Sequence, residues 1–225
     1  MSIPREQVLS RGAYAVVPRH KVLTNTYALL SLTLLFSAFT AGVSMVLALP
    51  HPGIIVTLVG YFGLLWLTNK YANSALGLLW VFALTGFMGY TLGPVLNAYV
   101  THFANGTQLV MMAMGGTGAV FLGLSAYALT TRRDFSVLGG LLGAGVLVAF
   151  LAGLVAVFVP GLMGLSLAVS AMFVVLMAGM ILFQTSAIIH GGETNYILAT
   201  VSLYVTIFNL FTSLLQLLGV FGSDD

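Results

Sequence analysis

Long uninterrupted runs of apolar residues, almost free of charge, make up most of this 225-residue chain. Hydrophobic residues account for 60% of the sequence and charged ones for 5%, whereas a soluble domain carries roughly a quarter of its residues as charged side chains. The outer surface must therefore face lipid. Because the runs are continuous and not alternating, they indicate membrane-spanning helices, not a β-barrel. The sequence predicts an all-α membrane protein.

Short polar breaks divide the apolar sequence into seven segments, which predicts a single bundle of transmembrane helices over residues 22–220. A tail at 1–21 precedes it, and a short acidic tail at 221–225 follows it. The seventh segment carries Asn209 in its middle, so a re-entrant hairpin is an alternative to a full span. The predicted spans are 25–49, 54–68, 75–99, 109–130, 137–159, 162–189 and 196–218.

The positive residues predict how the chain is oriented. Lysine and arginine occur before the first span and after the second and fourth, but not after the first, third or fifth. Because cytoplasmic loops carry the excess of positive charge, this pattern predicts a cytoplasmic N-terminus and a periplasmic C-terminus. The tail has no apolar core, so no cleavable signal peptide is expected and the first span directs targeting. The basic residues in question are Arg5, Arg11, Arg19, Lys21, Lys70, Arg132 and Arg133.

The break before the last span is the richest polar stretch in the chain. It holds His190 and Glu193, and Glu193 is the only acidic residue between Asp134 and Asp224. One interpretation is local: His190 satisfies the last carbonyls of the sixth span, and Glu193 stabilises the first turn of the seventh. In the other, Gln184, His190 and Glu193 line the mouth of a polar pocket that responds to protonation of His190 near neutral pH. Gly191 and Gly192 permit a sharp turn in either case.

Glycines are frequent within the third, fourth and fifth spans, and we interpret them as sites of close helix packing. Gly93 and Pro94 form a special pair, because proline removes a backbone hydrogen bond and kinks a helix. The kink either shapes a cavity or is a static bend.

Several classes of function are excluded or unsupported. The absence of cysteine excludes disulfides, thiolate metal sites and cysteine nucleophiles. The histidines fall at four separate segment ends, so no metal site is predicted, and no phosphate-binding loop or nucleic-acid surface is indicated. We expect no cofactor and no catalytic residue. A serine–histidine intramembrane protease would require Ser125 and His190 to be adjacent.

Four stretches resemble the Bax inhibitor family, which includes the TMBIM and LifeGuard proteins. Two of them, residues 20–27 (HKVLTNTY) and the end of 182–196 (LFQTSAIIHGGETNY), resemble its bacterial YccA branch specifically. The other two are residues 85–94 (TGFMGYTLGP) and 201–211 (VSLYVTIFNLF). The resemblance covers nearly the whole chain and implies a seven-helix bundle in a bacterial inner membrane.

The resemblance also implies two alternative functions. Parts of the family are pH-sensitive calcium leaks that sense pH through two aspartates, and those positions correspond here to Gln184 and Thr206, which cannot ionise. The YccA branch instead implies a non-enzymatic regulator of an FtsH-type membrane-bound AAA protease, engaged through the N-terminal tail with Arg5, Arg11, Arg19 and Lys21. We take the regulator as the leading hypothesis. The alternative is a calcium or proton leak lined by Gln184, Glu193, Thr206 and Asn209.

Overall fold

The computed structural model describes residues 19–131, 133–159 and 161–222, and these form seven α-helices without any strand. Each helix is long and apolar enough to cross a membrane, so the predicted all-α bundle of seven spans is confirmed. α7 is one continuous helix of 26 residues, not a hairpin. The helices are α1 (Arg19–Val46), α2 (Ile54–Tyr71), α3 (Ala75–His102), α4 (Gly106–Thr131), α5 (Leu138–Phe158), α6 (Met163–His190) and α7 (Tyr196–Phe221).

The helix ends differ from the predicted spans mainly by extending past the apolar runs. α1 begins at Arg19 and not at residue 25, because lysine and arginine favour a helix and can continue it into the interface. It ends at Val46, before a turn in which Ala48 has a positive φ of 47° and Pro50 follows. Pro50 disfavours the helical conformation in the residue directly before it, Leu49, so α1 does not reach the predicted end at residue 49.

α7 forms the centre of the bundle, and it packs against α1, α3, α4 and α6. In its most apolar stretch 61% of the residues are buried, compared with 6% for α2 and 11% for α5. The two peripheral helices each rest mainly on one neighbour, α2 on α3 and α5 on α6. Four of the six other helices therefore contact α7 directly.

α1 and α3 cross at close range through two glycines of α3. A Cβ atom at Gly89 would collide with Thr40 Oγ1 and with the backbone of Ser37, and one at Gly93 would come within 2.8 Å of the Ala41 carbonyl oxygen. Close backbone approach is the main source of helix association in lipid. The glycines of α4 and α5 are mixed. A Cβ at Gly115, Gly118, Gly140 or Gly143 would meet nothing within 4 Å, whereas one at Gly139 or Gly145 would come within 2.7 Å of a side chain on α6.

Pro94 lies inside α3 and does not interrupt it. Its ring nitrogen carries no hydrogen, so the carbonyl of Tyr90, four residues earlier, loses its usual partner. The hydroxyl of Ser44 on α1 donates to that carbonyl at 2.9 Å. The backbone group that Pro94 frees is therefore satisfied by the neighbouring helix, as the membrane interior requires.

A buried tyrosine joins three helices at the core. The hydroxyl of Tyr204 on α7 lies 2.6 Å from Ser37 Oγ on α1 and donates to the carbonyl of Thr85 on α3 at 3.3 Å. Tyr204 is 1% exposed, so these partners are what satisfy its hydroxyl away from water. The contact fixes the rotation of α1, α3 and α7 relative to each other.

Candidate functional site

An open cleft of about 780 Å³ lies between α2 on one side and α5, α6 and α7 on the other. It follows from the packing of the peripheral helices, because α2 rests on α3 and α5 on α6. Edge-to-face rings of Phe62 and Phe150, with centroids 6.0 Å apart, connect its two walls. The lining is mostly apolar. Its polar side chains include Asn69, Gln184, Glu193, Ser202, Thr206 and Asn209.

Gln184 on α6 and Thr206 on α7 are in direct contact within this lining. Nε2 of Gln184 donates to Oγ1 of Thr206 at 2.9 Å, and Oε1 of Gln184 lies 3.1 Å from the same hydroxyl. The Thr206 hydroxyl also reaches the carbonyl of Ser202 at 2.9 Å. These are the two positions at which the resemblance placed the family's aspartates. The contact is a neutral hydrogen-bonded pair.

Asn209 and Glu193 share the cleft with this pair but are satisfied locally. Nδ2 of Asn209 donates to the carbonyl of Val205, one turn earlier on α7, at 2.8 Å. Glu193 Oε1 accepts a hydrogen bond from the backbone N–H of Asn195 at 2.7 Å. The structure thus brings Gln184, Thr206, Asn209 and Glu193 to one cleft, with Glu193 at the end nearest the α6–α7 turn.

The α6–α7 turn is formed by a glycine helix end followed by an asparagine cap. Gly191 has a φ of 80°, and the N–H groups of Gly192 and Glu193 both reach the carbonyl of Ala187. Asn195 then caps α7, because its side chain accepts from the backbone N–H groups of Ile197 and Leu198. The local interpretation, in which Glu193 acts as a first-turn acid of the last span, is wrong for this residue, since Glu193 precedes the cap.

His190 lies outside the lining of the cleft and contacts its own helix. Its Nδ1 is 2.9 Å from the carbonyl oxygen of Ser186 and 3.1 Å from the Ser186 hydroxyl. That hydroxyl accepts from the backbone N–H of Phe135 at 2.9 Å. His190 therefore faces the loop between α4 and α5, and its contact with a late carbonyl of α6 agrees with the local interpretation of this residue.

Asp134 belongs to the same loop, and the pKa of its carboxyl group is lowered. The backbone N–H of Ser136 donates to Asp134 Oδ1 at 2.9 Å. This bond, together with the Ser136 hydroxyl and the nearby charge of His190, lowers the pKa of Asp134 from its ordinary value of 3.8. Across the described residues, no three His, Asp or Glu side chains converge as a metal site would need.

Asn195 connects the α6–α7 turn to the α2–α3 turn. Its Nδ2 donates to the carbonyl of Ala72 at 3.0 Å and to Asn73 Oδ1 at 2.8 Å. With the contact between Ser186 and the α4–α5 loop, three turns meet at one end of the bundle. These are the turns predicted to be cytoplasmic. The side of the membrane on which they lie stays a prediction from the positive residues.

The serine–histidine hypothesis has no geometric basis here. Ser125 Oγ is buried and makes no hydrogen bond within the described part of the chain, so it is not bonded to His190.

In the tail, Arg5 and Arg11 lie outside the described residues, whereas Arg19 and Lys21 belong to the first turn of α1. Pro94 does not line the cleft. The residue of α3 that lines it is Met88.

The sequence analysis missed a stripe of buried hydroxyl side chains along α1. Ser37 and Ser44 of this stripe reach α7 and α3, and its members are all less than 9% exposed. The signal was present as spacing, because hydroxyl residues recur on one face at helical intervals in an otherwise apolar segment. The stripe consists of Thr26, Thr33, Ser37 and Ser44.

Comparisons with known proteins agree over nearly the full length. A family model described as inhibitor of apoptosis-promoting Bax1 matches residues 19–223. The modulator of FtsH protease YccA of Escherichia coli K12 is 56% identical over 216 residues, covering 96% of this chain and 97% of the relative. The inner membrane protein YccA of E. coli O6:H1 gives the same values. The Golgi anti-apoptotic protein of vaccinia virus is 36% identical over 169 residues, covering 74% of this chain and 68% of the viral one.

Proposed function

This chain belongs to the Bax inhibitor family, and from that premise we propose that it is a non-enzymatic inner-membrane protein that binds and modulates an FtsH-type membrane-bound AAA protease. The single observation that carries the proposal is the 56% identity, over 96% of this chain, to the E. coli protein named a modulator of FtsH protease. A second E. coli relative is named an inner membrane protein, which supports the same location for this one.

The interior chemistry supports a role other than a calcium leak. Calcium prefers charged carboxylate ligands, and Gln184 and Thr206 present an amide and a hydroxyl that bond each other. One relative, from E. coli, is named a modulator of a protease, and the comparisons do not favour the leak. The absence of a hydrogen bond at Ser125 gives no support for hydrolysis by this chain.

We place the point of engagement at the N-terminal tail, which runs directly into α1. A protease that pulls on the tail would load α1 first. α1 is held by its close crossing with α3 and by hydrogen bonds from Ser37 to Tyr204 and from Ser44 to the Tyr90 carbonyl. Interhelical hydrogen bonds in membranes contribute about 1 kcal/mol each. The tail would thus occupy the protease while α1 resists extraction, and other substrates would be degraded more slowly.

Deletion of residues 2–18 tests the tail, because it leaves the whole of α1 in place. We expect the shortened chain to lose co-purification with the protease from native membranes and to stop slowing the degradation of a membrane substrate. A chain whose residues 2–18 are replaced by a Gly-Ser linker of equal length is the matched control for length. Unchanged co-purification of the deleted chain would overturn the role of the tail.

Loosening α1 tests the second half of the proposal. Tyr204→Phe removes the hydroxyl that binds Ser37, and we expect faster degradation of the variant by the protease with unchanged co-purification. Tyr127→Phe is the matched control, since Tyr127 is 47% exposed and contacts Phe135 through its ring. Equal degradation rates for the two variants would contradict the idea that α1 resists extraction.

A further inference from the structure

The cleft between α2 and α5 is accessible from the lipid phase. Its two outer walls are the least buried helices of the bundle, and large apolar side chains on them, such as Val59 and Leu147, are more than half exposed. In a membrane these surfaces meet acyl chains. A single acyl chain can therefore enter the cleft sideways without crossing water.

The polar side chains of α6 and α7 in the cleft already have hydrogen-bond partners, so they do not require a polar ligand. Gln184 and Thr206 bond each other, and Asn209 donates to its own helix. Most of the remaining lining is apolar, with Phe173, Met177 and Val201 among its members. A volume of about 780 Å³ falls within the range of ligand sites, roughly 300–1,000 Å³, that combine an apolar lining with a few orienting polar groups.

Residue types typical of the membrane–water interface mark the end of the cleft near the α6–α7 turn. Asn69 lines it from α2, and the next residue, Lys70, places its ammonium 4.9 Å from the ring centroid of Trp66 and 5.5 Å from that of Tyr71. Tryptophan, tyrosine and lysine concentrate at the membrane–water interface. A lipid whose chain fills the cleft would therefore have its headgroup at this end.

Glu193 contributes a carboxyl group to this end of the cleft, where α2 contributes the Lys70 ammonium. Among the described residues that line the cleft, it is the one with a carboxyl side chain. A carboxylate at headgroup depth attracts an ammonium group and repels an anionic headgroup. A primary ammonium can also donate hydrogen bonds to the carboxylate, which the quaternary ammonium of a choline headgroup cannot do.

From the apolar lining, the depth of the open end and the charge of Glu193, we propose that the cleft is a binding site for one phosphatidylethanolamine molecule, with an acyl chain between α2 and α5 and the ammonium group against Glu193. This site is separate from the N-terminal tail through which the protease is proposed to bind. The lipid would fill the gap that the helices leave and hold α2 against α5 and α6. A failure of this proposal leaves the proposed protease function standing.

Two glycines of α5 provide matched variants for a test. Gly143 lines the cleft, and Gly140, about one turn earlier, does not. A Cβ at either position would meet nothing within 4 Å, so neither substitution creates a collision at the first side-chain carbon. Gly143→Leu fills the cleft, whereas Gly140→Leu adds the same side chain to the same helix outside it.

The measurement is native mass spectrometry of the full chain released from vesicles that contain equal amounts of phosphatidylethanolamine, phosphatidylcholine and phosphatidylglycerol with the same acyl chains. We expect one retained phosphatidylethanolamine, its loss in Gly143→Leu, and its retention in Gly140→Leu. Glu193→Gln should keep a bound lipid but reduce the preference for phosphatidylethanolamine over phosphatidylcholine by about fivefold.

Three results would overturn the proposal. One is equal retention of lipid by the Gly143→Leu and Gly140→Leu chains, which would place the lipid elsewhere. Another is a preference for phosphatidylglycerol, which would contradict the role of the Glu193 carboxylate. The third is an undiminished preference for phosphatidylethanolamine in Glu193→Gln. Glu193→Asp keeps the carboxylate and is the matched control for Glu193→Gln, so it should retain the preference.

Discussion

The side-chain amide of Gln184 and the hydroxyl of Thr206 are 2.9 Å apart across the interface of α6 and α7. Neither group changes its charge with pH. The hydrogen bond between these two helices therefore does not change over the physiological pH range. A pair of carboxylates in the same place would instead repel each other and share a proton. The pair connects α6 to the central helix beside the cleft.

Thr206→Val should weaken this link. Valine keeps the shape of the side chain but leaves the Gln184 amide without its partner, so we expect the free energy of unfolding to fall by about 1 kcal/mol. Denaturant titration in mild detergent would measure it. Thr212→Val is the control, because the Thr212 hydroxyl bonds only its own helix, at Phe208 and Asn209. Equal losses for both variants would show that the contact with Gln184 contributes nothing.

Ser44 and Pro94 should be energetically coupled. Ser44→Ala leaves the Tyr90 carbonyl without a donor, at a cost of about 1 kcal/mol. In a Pro94→Ala background the backbone N–H of residue 94 can bond that carbonyl again, so removal of the Ser44 hydroxyl should cost much less. A double-mutant cycle on the free energy of unfolding measures the coupling. The idea fails if Ser44→Ala has the same effect in both backgrounds.

Gly89→Ala should disrupt the crossing of α1 and α3. The new methyl group would collide with the Ser37 backbone and with Thr40, and overpacking of this kind costs about 1–3 kcal/mol. Gly63→Ala on α2 is the matched control, because a Cβ there meets nothing within 4 Å. Thermal unfolding in detergent should show a lower midpoint for Gly89→Ala alone. Similar midpoints for the two variants would mean that α1 can shift at little cost.

The carboxyl of Asp134 should titrate below its ordinary pKa of 3.8, because the Ser136 N–H and hydroxyl favour its charged form. A lowered pKa in the folded state adds stability above pH 3.8, and this stability disappears as the pH falls through the folded-state pKa. Carbon-13 NMR of the Asp134 carboxyl would measure the titration. Ser136→Ala should raise the midpoint by removing the hydroxyl. A wild-type midpoint at or above 3.8 would contradict this explanation.

The spans were predictable because lipid imposes the same requirement on every helix. A membrane-spanning segment needs about 20 apolar residues with all backbone groups satisfied internally, and this pattern can be read locally from residues such as those of α7. The extension of α1 back to Arg19 and of α3 on to His102 could not be predicted. Helices continue into the interface, where composition no longer distinguishes helix from loop.

The contacts within the site were less predictable, because they depend on which helices are neighbours. The polar residues Gln184, Thr206 and Asn209 were identified as candidates, but nothing in the spacing shows that the amide of Gln184 meets the hydroxyl of Thr206. The direction in which His190 points depends on its position around α6, and it faces the α4–α5 loop and not the cleft. The bond from Ser44 to Tyr90 required the crossing of α1 and α3.

The central place of α7 has a consequence for how the molecule is made. α7 follows the other six described helices along the chain, yet α1, α3, α4 and α6 all pack on it. During synthesis those four helices enter the membrane before their common partner exists, and contacts distant in sequence form last. The Tyr204 hydroxyl can bridge α1 and α3 only after α7 arrives. A ribosome that stalls before residue 196 would release a chain that lacks the helix on which α1, α3, α4 and α6 all pack.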